Sequence, residues 1–390
     1  LPNPSSRAEP INAGVVTALV GFTSSFIVVL AGLEAVGASD RQAASGLLAL
    51  SLTMGVACIV LSYRFRIPIT FAWSTPGAAL LAGTTMVEGG FAAAAGAFIV
   101  VGLLILATGF WPWLGQLIAR IPKSIAQAML AGVLMPLCLA PVRAFDEVGW
   151  MVVPIVVTWL IGTRYLPRWA VPASLVMTLL LIAWHIHDTG ASIDRSHLRP
   201  DLAWTPPELT WQALASIAIP LYIVTMASQN VPGVAVLATF GYVAPWRAAL
   251  VATGAGTIIG APFGGHTINL AALSAALAAG PEAGTNREKR WIAALTAGVC
   301  YLILGGLSAL LVVLVAASPE GILEVVAGLA LLATMASALQ ASLSESDDRI
   351  ACLVTFLVAA SGVVFFGIGA AFWALCGGLI VRKVLWPGKP

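Results

Sequence analysis

The chain has 390 residues, 59% of them hydrophobic and 9% charged, with a net charge of +2 and a mean hydropathy of +0.97. A soluble protein carries about 25% charged residues, so a water-covered globular surface is excluded. With no basic stripe, a nucleic-acid partner is excluded too. The apolar runs are of helical length, and the expected class is an all-α polytopic protein embedded in a lipid bilayer.

In chain order, apolar segments are predicted near 12–33, 42–62, 68–83, 90–110, 122–141, 148–163 and 169–186. The first begins near Asn12 and reads as a full span, so no cleaved leader is expected. A polar stretch, 187–208, follows, with Asp188, Asp194, Arg195, Arg199, Asp201 and Glu208. Seven more segments come after it, near 209–228, 245–261, 262–280, 291–314, 319–340, 350–366 and 368–385. With the N-terminus inside, the cytoplasmic side collects all of the 19 basic residues except Arg41, Arg143, Arg195 and Arg199. That bias predicts fourteen spans with both termini cytoplasmic.

Five cysteines (Cys58, Cys138, Cys300, Cys352 and Cys376) fall inside apolar runs without a CxxC pair. They read as small buried residues, and neither a disulfide framework nor a metal site is expected. His185, His187 and His197 are read as loop residues of the outer side without ligand spacing, and no cofactor is expected.

Internal symmetry comes next. Pro68 of "IPITFAWSTPGAALLAG" is matched by Pro262 of "GAPFGGHTINLAALSAALAAG", 194 residues later, and Pro122 by Pro319, 197 later. Two nearly equal offsets suggest a duplicated seven-span unit. Seven is odd, so the copies enter the membrane in opposite directions, an arrangement common in secondary transporters.

The matched segments 68–83 and 262–280 are short and interrupted by Pro76, Gly264 and Gly265. In hydrocarbon, irregular backbone survives only inside protein or along a wet cavity. A short extended piece followed by a half-helix is therefore predicted in each. "ITFAW" leads into Ser74 or Thr75 as N-cap and Pro76 in the first turn. "FGGHT" leads into "INLAALSAALAAG", with Asn269 near the helix start. Two half-helix N-termini facing one spot form an anion site without an intramembrane Arg or Lys. The competing reading is a pair of ordinary Pro and Gly kinks, frequent in membrane helices.

"TFAWSTPGAALL" (70–81), "PLYIVTMASQNVPGVAVL" (220–237) and "GAPFGGHTINLAALSAALAAGPEA" (260–283) closely resemble the benzoate/proton symporter family, BenE. The similarity runs over essentially the whole chain. That family is distantly similar to nucleobase/proton symporters and sulfate-type anion transporters. The resemblance implies two inverted seven-span repeats with two short antiparallel strands in broken spans 3 and 10. It implies a core domain from 11–110 and 209–315 and a gate domain from 111–186 and 316–386, separated by the outer loop 187–208. It further implies a bacterial inner-membrane location, a homodimer, and substrate bound between the strands "FAW" (71–73) and "GHT" (265–267), beside span 8. The nucleobase relatives place one acid in span 8 and another in span 10. Here span 8 reads Ala227-Ser228-Gln229-Asn230 and span 10 has His266, a departure that suits an anionic substrate.

The substrate-binding candidates are Phe71, Ala72, Trp73, Ser74, Thr75, Ser228, Gln229, Asn230, Gly265, His266, Thr267 and Asn269, with Ser24 and Ser25 in span 1. His266 is the ionisable candidate nearest the midplane, where such groups point to function. It reads either as the proton carrier or as a neutral structural histidine. Ser228, Gln229 and Asn230 hold a carboxylate or complete a proton path, or else cap a helix end and bond neighbouring helices. Phe71 and Trp73 form an aromatic wall for a flat ring or pack into the scaffold. Ser24 and Ser25 bind or merely pack. Glu324 reads as interfacial; Glu320 and the run Glu345–Asp348 read as solvated loop charges.

The expected function is proton-coupled import of benzoate or a similar aromatic monocarboxylate. The alternatives are an anion exchanger or channel, or a nucleobase symporter, of the same fold. An enzyme is not expected, because no nucleophile triad, HExxH or phosphate-cradling loop sits in a plausible context.

Overall fold

A computed structural model describes residues 8–84, 86–111, 121–189, 199–319 and 321–386. Arg7, Arg120, Asp194, Arg195, His197, Glu320 and Lys389, to which the sequence reading gave roles, lie outside the described residues. The first half runs α1 (Ala8–Thr23), α2 (Phe26–Ala35), α3 (Asp40–Phe65), β1 (Phe71–Trp73), α4 (Thr75–Ala82), α5 (Gly90–Phe110), α6 (Lys123–Val148), α7 (Val152–Tyr165) and α8 (Ala170–Thr189). The second runs α9 (Trp211–Thr239), α10 (Trp246–Gly260), β2 (Ile268–Leu270), α11 (Ala272–Ala279), α12 (Trp291–Gly305), α13 (Ser308–Ala316), α14 (Ile322–Ser342), α15 (Arg349–Ala360) and α16 (Ala370–Leu385).

Among the described residues, 7 helical stretches are long and apolar enough to cross a membrane, or 8 if α12 and α13, bent by 52° at a short break, form one span. Leu103, Leu160, Ile303, Leu357 and Ile380 stand exposed on helix surfaces. Such faces suit acyl chains, where the backbone is satisfied internally and the solvent is apolar.

The closest helix pairings fall into two sets. In one, α3 packs on α12 and α10, α10 on α5, α1 on α12, and α2 on α4; in the other, α6 packs on α14 and α15, α15 on α16, and α7 on α8. Lipid tails are as apolar as leucine, so association in a bilayer depends on close backbone approach. Two reciprocal glycine contacts provide it. A Cβ on Gly55 would lie 2.9 Å from the Gly298 carbonyl oxygen, and one on Gly298 2.7 Å from that of Gly55. Gly102 and Gly254 stand in the same relation across α5 and α10, at 2.9 and 2.7 Å.

Several segments differ from their predicted form. The run 12–33 is broken at Ser24-Ser25, where the Ser25 N–H bonds the Phe22 carbonyl, not the one four residues back. The span predicted to end at 228 continues to Thr239, so Ser228, Gln229 and Asn230 do not cap a helix end. That helix widens into π-helical turns at Leu214–Ala218 and Met226–Asn230, each two residues before a proline, Pro220 and Pro232. A wider turn relieves the clash of the proline ring with the preceding turn.

The extended piece predicted at 265–267 lies at Ile268–Leu270, which places Asn269 in a strand and not in the half-helix. Ala261–Phe263 forms a 3-10 turn and Gly264, at φ 90°, reverses the chain first. His185 and His187 belong to the last turns of α8, which runs to Thr189, and not to a loop. Of the polar stretch beyond it, residues 199–208 lie across the other set of helices. The N–H groups of Ala203, Thr205 and Glu208 bond Ser45 Oγ, the Pro262 carbonyl and the Ala92 carbonyl. Asp348, read as a solvated loop charge, is buried at 1% exposure, accepting from Ser124 Oγ at 2.9 Å and Arg382 Nε at 3.1 Å.

Candidate functional site

β1 and β2 pair antiparallel, with Phe71 opposite Leu270, Ala72 opposite Asn269 and Trp73 opposite Ile268. The ladder extends past the strands through Ser74 N–H to the Thr267 carbonyl and Ala271 N–H to the Thr70 carbonyl. Two three-residue strands are too short to hold themselves together, and buried side chains fix them from behind. Asn230 Oδ1 accepts from the Leu270 N–H at 2.9 Å, and Thr257 Oγ1 from the Ile268 N–H at 3.2 Å. Ser62 Oγ donates to the Ile69 carbonyl. The Asn269 amide, with its NH2 toward the Leu270 carbonyl (2.8 Å) and its oxygen toward the Ser74 N–H (3.0 Å), bridges the crossing.

Each strand leads directly into a half-helix. Ser74 caps α4 by accepting from the Gly77 N–H at 3.1 Å, with Pro76 in the first turn. α11 starts after Ala271, which has no side-chain cap to offer. Both starts open on one cavity of about 630 Å³. Thr75, Pro76, Ala271 and Ser274 line it at the two helix ends, and Ser228 and Gln229 from the π-helical turn of α9. Ser24, Ser25, Ala72 and Trp73 close it on that side; Leu130 of α6, Val171 of α8 and Leu331 of α14 face them from the other packing set.

Seven sequence candidates thus meet at the cavity: Ser24, Ser25, Ala72, Trp73, Thr75, Ser228 and Gln229. The others stand behind it. Phe71 is fully buried, so the expected aromatic wall reduces to the Trp73 indole, which is itself 3% exposed. That indole donates from Nε1 to Ser25 Oγ at 2.8 Å and meets the Phe22 ring edge-on at 5.0 Å. Ser74, Asn230, Thr267 and Asn269 are buried and occupied with backbone and hydroxyl bonds.

His266 and Gly265 are also buried and do not line the cavity. His266 Nδ1 accepts from the Thr267 N–H at 2.6 Å, the ring lies 6.4 Å from that of Phe98, and Nε2 has no hydrogen-bond partner among the described residues. A file of hydroxyls leads from it toward the cavity: Thr267 Oγ1 at 3.4 Å, then Thr225 Oγ1 at 3.4 Å, then Ser74 Oγ at 3.1 Å.

Sequence reasoning missed Ser274, Gln127, Thr334, Ser337 and Arg168, all of which line the cavity. Ser274 was legible in principle, since it falls in the first turn once α11 is started at Ala272 instead of Ile268. The others come from the second packing set, which no local pattern brings to the site. Chemically, the cavity offers helix-end N–H groups, hydroxyls and an amide on one wall, and mainly apolar side chains on the other. A small anion with a flat apolar body matches that division.

Comparison with known proteins shows the family and the fold. A family profile described as benzoate membrane transport protein, BenE, matches residues 5–384. The inner membrane protein YdcO of Escherichia coli is 35% identical over 377 residues, covering 96% of this chain and 95% of that protein. The benzoate membrane transport protein of Acinetobacter baylyi is 30% identical over 377 residues, with 97% and 95% covered. Among solved structures, the transmembrane domain of a cyanobacterial bicarbonate transporter, BicA, superposes with a TM-score of 0.63 at 15% identity, over 95% of this chain and 97% of that one. SLC26A9 gives 0.63 at 12% identity, over 96% of this chain and 65% of that one. At such identities these two establish the fold alone.

Proposed function

The chain belongs to the BenE family of benzoate membrane transport proteins, and on that premise we propose that it imports benzoate or a related aromatic monocarboxylate with protons across the bacterial inner membrane. The observation that carries this reading is the single cavity onto which both half-helix starts open, Thr75-Pro76 and Ala271–Ser274. The helix ends attract the carboxylate, Ser228 and Gln229 supply further hydrogen bonds, and the opposite apolar wall takes the ring.

In this reading the fourteen segments form two inverted seven-span halves with both termini cytoplasmic. Supporting it, each half places its strand and half-helix third in order, α1–α2, α3, β1–α4 against α9, α10, β2–α11. The packing set built on α3, α5, α10 and α12 is the core, and the set built on α6, α14 and α15 is the gate. Their relative movement exposes the cavity to each side in turn. Pairing of two copies into a homodimer belongs to the same proposal, with light scattering of the purified protein as its readout.

His266 is the proposed proton carrier, with Nδ1, the nitrogen that accepts the Thr267 N–H and faces its hydroxyl, as the receiving atom and the Thr267–Thr225–Ser74 hydroxyls as its connection to the cavity. In the conformation described it is sealed off, so protonation belongs to a rearranged state. Replacing His266 with Gln should flatten the pH dependence of uptake; a profile identical to that of the unaltered protein removes the role.

The direct test is purified protein in liposomes. Benzoate uptake should be driven by an inward proton gradient and acidify the lumen. Uptake that strictly requires a counter-anion, without acidification, would instead establish exchange, and a preference for uracil would overturn the substrate class.

A further inference from the structure

Among its described lining residues the cavity has one ionisable side chain, Arg168. It does not come from the strand crossing. Arg168 sits in the short turn Pro167–Trp169 that joins α7 to α8, and its guanidinium is paired with the carboxylate of Glu282. Glu282 lies in the turn Pro281–Ala283, immediately after α11. α11 therefore carries an uncapped N-terminus at the strand crossing and, just beyond its other end, the carboxylate that holds Arg168. Arg290 fixes that end of α11, donating to the Ala279 carbonyl at 2.6 Å and the Gly284 carbonyl at 2.9 Å.

Two features separate this pair from an ordinary surface ion pair. It links the two packing sets, α7–α8 on one side and α11 on the other, at the edge of the cavity that lies between them. Its side chains are also half exposed, at 51% and 43%. An exposed pair is weak enough to be exchanged, and a guanidinium takes any carboxylate in the same forked geometry. A monocarboxylate substrate presents the same chemical group as Glu282.

We propose that Arg168 captures the substrate carboxylate at the cavity mouth and that Glu282 is its competing internal ligand, so that entry or exit of an anion exchanges one carboxylate for another and loosens the tie between the two halves. The proposal rests on the aromatic-carboxylate reading given above.

The two partners predict opposite signs, whereas a merely structural strap predicts the same sign for both. Calorimetric titration of benzoate into the purified full chain provides the readout. Glu282→Gln should bind about threefold tighter, because the competitor is gone, and Arg168→Gln about fivefold weaker. The double variant should resemble Arg168→Gln, and Arg168→Lys, which keeps the charge but not the fork, should fall between that variant and the unaltered protein. Added salt should shrink the Glu282→Gln gain. Single variants that shift affinity in the same direction, or not at all, overturn the capture role while leaving the substrate reading intact. Unaltered protein that binds neither benzoate nor any ring-substituted benzoate overturns the substrate reading itself.

Discussion

At the first strand crossing, Ser74 turns its hydroxyl onto the Gly77 N–H and Pro76 has no N–H to offer, so the start of α4 is partly answered by the chain itself. At the second, Ala271 holds the corresponding position and caps nothing. The second strand is instead held from behind, its Leu270 and Ile268 N–H groups taken by Asn230 and Thr257. The two crossings occupy matching places in the chain yet divide the work. The first is a self-satisfied wall that brings the Trp73 indole to the cavity. The second, rigid at its back and open at its front, keeps the freer donors for a ligand. An unsatisfied helix end beside a cavity is tolerable only where water or an anion can reach it.

Breaking the support of the second crossing should have the largest effect. Asn230→Ala leaves the Leu270 N–H buried without an acceptor, a loss of about 1–3 kcal/mol. A melting temperature unchanged from the original would show that the amide does not hold the strand.

Next is the open end itself. Ser274→Asp sets a carboxylate at the first turn of α11, which suits the helix dipole but repels an anion. Benzoate affinity should fall at least about tenfold, roughly 1.4 kcal/mol, while thermal stability holds. Retained affinity would mean that the anion does not sit at α11.

The self-satisfied crossing should respond more mildly. Ser74→Ala removes the cap and should cost about 1 kcal/mol of stability, with a smaller change in affinity than Ser274→Asp. A reversed ranking in binding assays would move the ligand to α4 and invert the comparison. An effect of similar size is expected of Trp73→Phe, which keeps an aromatic ring but loses the bond to Ser25 Oγ, for about 0.5–1.5 kcal/mol. Paired melting curves of Trp73→Phe and Ser25→Ala, which lose the same bond, should nearly coincide.

Much of this was legible in the sequence because membrane constraints are local. About twenty apolar residues make a span whatever surrounds them, so most segment positions agree with helices, α3 and α5 among them. A proline or paired glycine inside such a run forces a break that must be satisfied nearby, which is why "FAWSTPG" drew attention. The register of the second break was not legible. "GHT" and "INL" are equally able to extend, and the choice fell to Asn230 and Thr257, donors' partners supplied by other helices.

The chain alone, through its hydrophobic runs and sparse charge, determined that it is a polytopic membrane protein; three motifs carried its resemblance to the benzoate transport family, and the two broken segments marked where to look for a site. Tertiary structure decided which candidates reach the cavity: it turned Trp73, Ser228 and Gln229 toward it and sealed Phe71, Asn230 and His266 away. It also brought Arg168 there from the opposite packing set. The physical reason is one of range. Helix formation and bilayer partition act over a few turns of chain, whereas the facing of a side chain is fixed by close packing and hydrogen bonds between segments far apart in sequence.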